Sequence, residues 1–164
     1  MREFQPGDIA ACTGSLLVTF HRYLRQLGYS LAPWESTLIT VAAKLRYCII
    51  KKHIQGNQCE VFLMTTFGGA RNQYELSLIA HYFGMSVGDT QWTRGVPGLK
   101  TPPTFGTSSK SFVFAIPTIG NVEAANTRVY VRLVPGEMER LLEFVNGNAK
   151  GMGFLLNSHA ASRI

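Results

Sequence analysis

Residues 37–67 decide the fold, and they read TLITVAAKLRYCIIKKHIQGNQCEVFLMTTF. Every second residue from 39 to 49 is apolar or aromatic and β-branched residues are frequent, although a helical stripe can be drawn through the same segment. The turn cluster at 55–58 and the clear strand at 59–67 that follow favour a β-hairpin. We therefore predict that 37–54 and 59–67 are paired antiparallel strands.

The cysteines of this hairpin are not predicted to form a disulfide. A turn at residues 56 and 57 sets Cys59 opposite Ile54 and Cys48 opposite Thr65, so the two thiols do not face each other. The chain has three cysteines and no CxxC spacing, which does not suggest a zinc site or a disulfide framework. This cysteine usage indicates a reducing compartment.

The other elements follow from apolar periodicity on either side of the hairpin. Their order is predicted as α-ββα-ββα, an α+β fold in which one antiparallel sheet carries helices on one face. Residues 1–147 are predicted to form a single domain, and 148–164 a C-terminal arm. The predicted elements are a helix over 15–27, a helix over 72–84, a long loop over 85–110, strands over 111–116 and 128–134 joined by a turn around Gly120-Asn121, and a helix over 136–146.

Charge and composition suggest an anionic partner. Of the 164 residues only 16% are charged, below the ~25% of typical proteins, yet the net charge is +6. We expect part of the surface to be covered by nucleic acid and by neighbouring protein subunits. Neither an apolar signal-peptide core nor an 18-residue uncharged apolar run is present. The expectation is an intracellular protein of the cytosol or an organelle interior, the mitochondrion included, with no membrane partner.

The basic residues carry the strongest functional signal. If 37–54 is a strand, Lys44, Arg46 and Lys52 lie on one face, with Lys51 on the other. Cations bind phosphates and neighbouring aromatic rings stack on unpaired bases, although a solvated charged face above core aromatics explains the pattern equally well. The predicted nucleic-acid contacts are Lys44, Arg46, Lys51, Lys52, Arg71, Arg94, Lys100, Lys110, Arg128 and Arg132, with Trp92, Phe105 and Tyr130 for stacking.

No catalytic residue, metal site or cofactor is predicted from motifs. The histidines lack HxxxH or HExxH spacing, and no cysteine has a base supplied beside it. Glu137, Glu139 and Glu143 fall in the first turns of the last helix, where they are expected on a solvated face. Gly68-Gly69 leads into the predicted helix at 72–84 and forms either a turn or a phosphate cradle beside Arg71.

Residues 36–84 resemble single-motif LAGLIDADG homing endonucleases. In this family a helix that carries the conserved motif ends in an acidic residue, and Glu35-Ser36 would occupy that position here. The second stretch that carries the resemblance is the sequence that ends in Tyr82-Phe83-Gly84. The resemblance implies a sheet that saddles DNA, with Mg²⁺ and Glu35 in cleavage. Pro33 interrupts the motif helix. A weaker likeness, through 4–9 and Pro33-Trp34, is to circularly permuted papain-like hydrolases, whose catalytic pair has no counterpart here.

These observations lead to one functional hypothesis and two alternatives. The chain is predicted to be a non-enzymatic, RNA-binding structural subunit of a larger ribonucleoprotein assembly such as an organellar ribosome. The first alternative is a LAGLIDADG-like, metal-dependent DNA endonuclease that uses Glu35. The second is a viral coat or assembly protein that binds its genome.

Overall fold

A computed structural model describes residues 3–26, 43–66, 83–88, 97–102, 105, 111–124 and 131–147 of the chain. The described residues form an antiparallel sheet and two helices, so the α+β class is confirmed. In chain order the elements are β1 (Asp8–Gly14), α1 (Leu16–Gln26), β2 (Lys44–Gln55), β3 (Gln58–Thr65), β4 (Gly84–Val87), β5 (Ser111–Phe114), β6 (Thr118–Ala124), β7 (Val131–Arg132) and α2 (137–147).

The predicted hairpin is present as β2 and β3, which are antiparallel neighbours. Gly56 lies in the turn with a φ of 51°, a left-handed conformation that costs glycine little. The helices predicted over 15–27 and 136–146 are also present, as α1 and α2. Local signals, namely a turn sequence and an apolar stripe, were sufficient for these four elements.

The register of the hairpin differs from the prediction. Cys48 lies opposite Leu63 and Cys59 opposite His53, not opposite Thr65 and Ile54. Two β-bulges interrupt β2, the first between residues 50 and 52 and the second between 53 and 55. Each bulge inserts an unpaired residue and reverses the face on which the following side chains lie.

Four strands close a small barrel. β1 lies between β2 and β6, while β3 pairs with both β2 and β6, so that β1, β2, β3 and β6 form a ring. β5 and then β4 extend the sheet from the end of β3, and β7 pairs with the start of β1. Because the ring is closed, each of its four strands is hydrogen-bonded to a neighbouring strand on both sides.

Small and medium apolar side chains of the four ring strands face the inside of the barrel. Of the two apolar clusters, only one contains residues from all four ring strands, and this cluster therefore lies inside the ring. Leu16 and Phe20 of α1 belong to this cluster, whereas Leu141 of α2 belongs to a second cluster on the other side of β1, β2 and β3. Because the two described helices contribute to different clusters, helices on a single face are not confirmed. The inner cluster contains Ala10, Cys12, Cys48, Ile50, Cys59, Val61, Leu63, Phe83, Phe114, Ile116 and Val122.

Three strands were absent from the predicted order. β1 precedes the first helix, β4 begins at the last residue of the helix predicted over 72–84 and continues into the predicted loop, and β6 occupies the predicted turn around Gly120-Asn121. The two late strands do not form a hairpin, because β5 pairs with β3 and β4 whereas β7 pairs with β1. The helix predicted over 72–84 lies outside the described residues except for Phe83, which belongs to the inner cluster, and Gly84, which begins β4. The arm predicted at 148–164 lies outside the described residues.

α2 is attached to the sheet through a buried carboxylate. Glu137, predicted on a solvated face, is 6% exposed. It accepts the backbone N–H of Lys100 at 2.6 Å and the guanidinium of Arg140 at 2.8 and 3.0 Å. Neither of the two described helices is long and apolar enough to cross a membrane.

Replacing Glu137 by alanine is expected to lower the free energy of unfolding by about 1.5 kcal/mol, because the Lys100 amide loses a charged acceptor. Urea denaturation followed by circular dichroism measures the change. Glu139→Ala, an exposed site on the same helix, is the matched control and should change stability by less than about 0.5 kcal/mol. Equal effects of the two substitutions would contradict a structural role for the Glu137 carboxylate.

Candidate nucleic-acid interface

The structure describes six of the ten predicted cationic contacts and one of the three predicted stacking residues. The six cations differ in burial and in partners, and they do not form one stripe. Described are Lys44, Arg46, Lys51, Lys52, Lys100, Arg132 and Phe105. Outside the described residues lie Arg71, Arg94, Lys110, Arg128, Trp92, Tyr130 and Glu35.

The prediction that Lys52 shares a face with Lys44 and Arg46 is wrong. Lys52 lies opposite Glu60, which points away from the barrel interior because its neighbours along β3 are inner-cluster residues. The first β-bulge of β2 causes this reversal, since it adds one residue between Arg46 and Lys52. An alternation counted along the sequence assumes an unbroken ladder and cannot detect a bulge.

Two of the predicted phosphate contacts are neutralised within the fold. Lys51 Nζ lies 2.8 Å from a carboxylate oxygen of Glu60, and Arg132 Nε lies 2.8 Å from a carboxylate oxygen of Asp8. Lys44, Lys52 and Lys100 are exposed, and none of them forms an ion pair within the described part of the chain. Of the six predicted contacts that the structure describes, these three lysines are therefore the ones whose side chains are open to an external anion.

Phe105 packs against a tyrosine that sequence reasoning did not select. The Phe105 and Tyr47 rings meet edge to face, with centroids 5.0 Å apart and planes at 80°. The Tyr47 side chain is 43% exposed, and its neighbour on the same face of β2, Leu45, is 63% exposed. We call these two rings the Tyr47–Phe105 platform. Alternation placed Tyr47 on an apolar face of β2, but only the three-dimensional structure shows that this end of the face is open.

The segment that carries Phe105 is ordered against the sheet. The Leu99 amide donates to the Ser86 carbonyl at 2.8 Å, and the Val134 amide donates to the Lys100 carbonyl at 3.2 Å. The Phe105 amide then donates to the Pro102 carbonyl at 2.9 Å, which closes a turn. Since the backbone of Lys100 is held on both sides, its exposed side chain projects from a defined position beside the turn that carries Phe105.

Arg46 is buried and incompletely hydrogen-bonded. Its side chain points along the inner face of β2, and the residue is only 7% exposed. Nε donates to the Gly14 carbonyl at 3.2 Å, whereas Nη2 is buried without an acceptor. Burial lowers the pKa of the guanidinium from its ordinary value. A desolvated cation of this kind is costly unless an anion approaches it.

The three cysteine thiols lie inside the barrel and are free. The Cys48 thiol donates a hydrogen bond to Cys12, which lowers the pKa of Cys12 to about 7 and raises the pKa of Cys48. Cys12 is only 2% exposed, so its thiolate form is closed to solvent and substrate. No group of three or more metal-ligating side chains occurs among the described residues. We assign these thiols to packing.

Comparisons with protein-family models, with curated proteins and with solved structures found no match. Two features of this chain itself therefore bear on its function. One is the exposed Tyr47–Phe105 platform, with free lysines on the strand and segment that carry it. The other is the buried guanidinium of Arg46 at one end of the barrel.

Proposed function

We propose that this chain is a non-enzymatic, RNA-binding structural subunit of a larger ribonucleoprotein assembly, such as an organellar ribosome, in the cytosol or an organelle interior. The observation that carries the proposal is the half-exposed Tyr47–Phe105 platform, whose two segments also carry the exposed lysines Lys44 and Lys100. Partly exposed aromatic rings, with unpaired cations on the segments that carry them, suit a single-stranded nucleic acid better than a duplex.

Stacking supplies the affinity in this proposal. Tyr47 presents part of its ring to solvent, while its edge-to-face contact with Phe105 restricts the ring's orientation. A base stacked on such a ring contributes roughly 1–3 kcal/mol, and the contribution depends little on which base it is. Binding through the platform should therefore tolerate many sequences, as expected of a structural subunit that contacts RNA at a fixed place in an assembly.

The exposed lysines supply the electrostatic part of the affinity for RNA in this proposal. Lys44 begins β2 and Lys100 precedes the turn that carries Phe105, and both side chains are exposed. Each phosphate that a lysine neutralises releases condensed counterions, so that affinity falls as salt rises. The overall charge of +6 acts in the same direction, because it draws a polyanion towards the protein at a distance.

Replacing Tyr47 by alanine is expected to weaken binding of an unstructured single-stranded RNA by about tenfold, the equivalent of roughly one lost stacking contact. Fluorescence anisotropy of a labelled oligonucleotide at a fixed, stated salt concentration measures the dissociation constant. Tyr47→Phe keeps the ring and should bind as the wild type does. Ile119→Ala removes another exposed apolar side chain, on β6, and is the matched surface control.

The same assay separates the proposed function from its alternatives. Equal dissociation constants for the wild type and Tyr47→Ala would refute RNA binding through the platform. Mg²⁺-dependent cleavage of the oligonucleotide, or of duplex DNA, that is lost in Glu35→Gln would favour the endonuclease. Uniform particles formed on addition of nucleic acid, detected by light scattering, would favour a coat protein.

A further inference from the structure

We propose that the end of the barrel around Arg46 is a second binding site, which takes a phosphate group. The guanidinium is buried, its Nε is bound to the Gly14 carbonyl, and its Nη2 has no acceptor. This site lies on the inner face of β2, whereas Tyr47 lies on the outer face. The inference goes beyond the proposed function, since it needs no base stacking.

Within the described part of the chain, no acidic side chain compensates the Arg46 charge. A buried guanidinium without a counterion is destabilising, and buried arginines in proteins are accordingly paired. None of the acidic side chains that the structure describes forms an ion pair with Arg46. The acids that form ion pairs have other partners: Glu3 with His53, Asp8 with Arg132, Glu60 with Lys51, and Glu137 with Arg140.

Two further positive features converge on this end of the barrel. Lys44 lies directly opposite Gly14, on the same side of β2 as Arg46, and its side chain is exposed. α1 begins at Leu16, two residues after the carbonyl that Arg46 binds, so the positive end of its dipole is nearby. The Ser15 hydroxyl accepts the Val18 amide and caps the helix at this position.

The donors suit a phosphate better than a carboxylate or a halide. A guanidinium offers a planar fork of N–H donors that matches two oxygens of a phosphate, and Lys44 adds a second full positive charge. A dianionic phosphate monoester would be balanced by these two cations, with the helix dipole in addition. The burial of Arg46 favours a terminal phosphate, either inorganic or at the end of a nucleic acid, because an internal phosphodiester has bulky chain on both sides.

Thermal unfolding in potassium phosphate and in potassium chloride, at matched ionic strength and pH, tests the inference. In wild-type protein, phosphate at ten times its dissociation constant should raise Tm by about 3 °C or more relative to chloride. Arg46→Met should abolish the shift, whereas Lys52→Met, on the opposite face of the same strand, should retain it. In chloride alone, Arg46→Met should unfold at or above the wild-type temperature, because it removes a buried unpaired charge.

Two RNA oligonucleotides of one sequence, with a 5′-phosphate or a 5′-hydroxyl, identify the source of the phosphate. An RNA end in the site predicts about tenfold tighter binding of the phosphorylated form, and equal binding of both forms by Arg46→Met. Equal binding of both forms by the wild type, with the Arg46-dependent thermal shift intact, supports inorganic phosphate instead.

Two results together would overturn the inference. The first is that phosphate raises the Tm of the wild type and of Arg46→Met equally, or raises neither, and the second is that the two oligonucleotides bind with equal affinity. If Arg46→Met does not fold, calorimetric titration of the wild type with inorganic phosphate decides, and the absence of saturable binding overturns the site. If Tyr47→Ala binds RNA as tightly as the wild type does, only the proposed function is refuted, because the rise of Tm in phosphate is measured without RNA.

Discussion

Replacing Arg132 by methionine is expected to lower the free energy of unfolding by about 3 kcal/mol, because it takes the cation away from a buried carboxylate. Asp8, the partner, is 0% exposed, and its second carboxylate oxygen accepts the Gln5 amide at 2.9 Å. Methionine keeps much of the aliphatic length of arginine, so the loss is mainly electrostatic. Urea denaturation at neutral pH measures the change.

A matched ion pair supplies the control. Lys51 and Glu60 have the same 2.8 Å separation, but the Glu60 side chain is 27% exposed whereas that of Asp8 is 0% exposed, so Lys51→Met should cost less than about 1 kcal/mol. Combining Arg132→Met with Asp8→Asn should recover part of the stability, since the buried side chain at position 8 then carries no charge. Similar losses for Lys51→Met and Arg132→Met would show that burial of Asp8 does not decide the strength of the pair.

These pairs show why sequence reasoning did not separate the unpaired cations from those with a partner in the fold. Asp8 and Arg132 are 124 residues apart in the chain and meet only because β1 pairs with β7, a strand pair that had not been predicted. A count of charges identifies which residues are cationic, but not which acid reaches each of them. Lys44, Lys52 and Lys100 remain available for an external anion, whereas Arg132 and Lys51 neutralise acids of the same chain.

The fold was predictable where the signal is local. The turn sequence at 55–58 and the stripe that includes Leu16 and Phe20 specify a hairpin and a helix without reference to the rest of the chain. β1 and β6 carry weak strand signals because small residues such as Ala10 and Gly120 occupy the narrow barrel interior. Their strand conformation follows from pairing with distant strands, which a single sequence does not reveal.

In the candidate site too, local sequence signals identified some residues, whereas the burial of others depends on the tertiary structure. Lys100 and Phe105 were selected because a long segment rich in glycine and proline interrupts regular structure. Tyr47 was missed, since its exposure depends on what covers the outer face of β2. Arg46 was selected as a surface cation, but the closed ring buries it. Strand alternation indicates a face, and only the tertiary structure shows whether that face is open to solvent.

Replacing Gly120 by alanine is expected to lower the free energy of unfolding by about 3 kcal/mol, because the new methyl group overpacks the barrel. A Cβ at this position would lie 2.5 Å from the Cys12 Sγ, well inside van der Waals contact. The Cys12 side chain is 2% exposed and hydrogen-bonded to the Thr13 carbonyl at 3.5 Å, so it has little room to rotate away. Urea denaturation measures the loss.

A second substitution tests whether contact with Cys12 causes the loss of stability in Gly120→Ala. Cys12→Ala removes the sulfur that the new methyl group meets, so Gly120→Ala combined with Cys12→Ala should be more stable than Gly120→Ala alone, a coupling of about 2 kcal/mol in a double-mutant cycle. Gly147→Ala, in α2, meets no atom within 4 Å and should not destabilise the protein. Strictly additive effects of the two substitutions at 12 and 120 would contradict contact between these positions, and with it the closure of the barrel by β6.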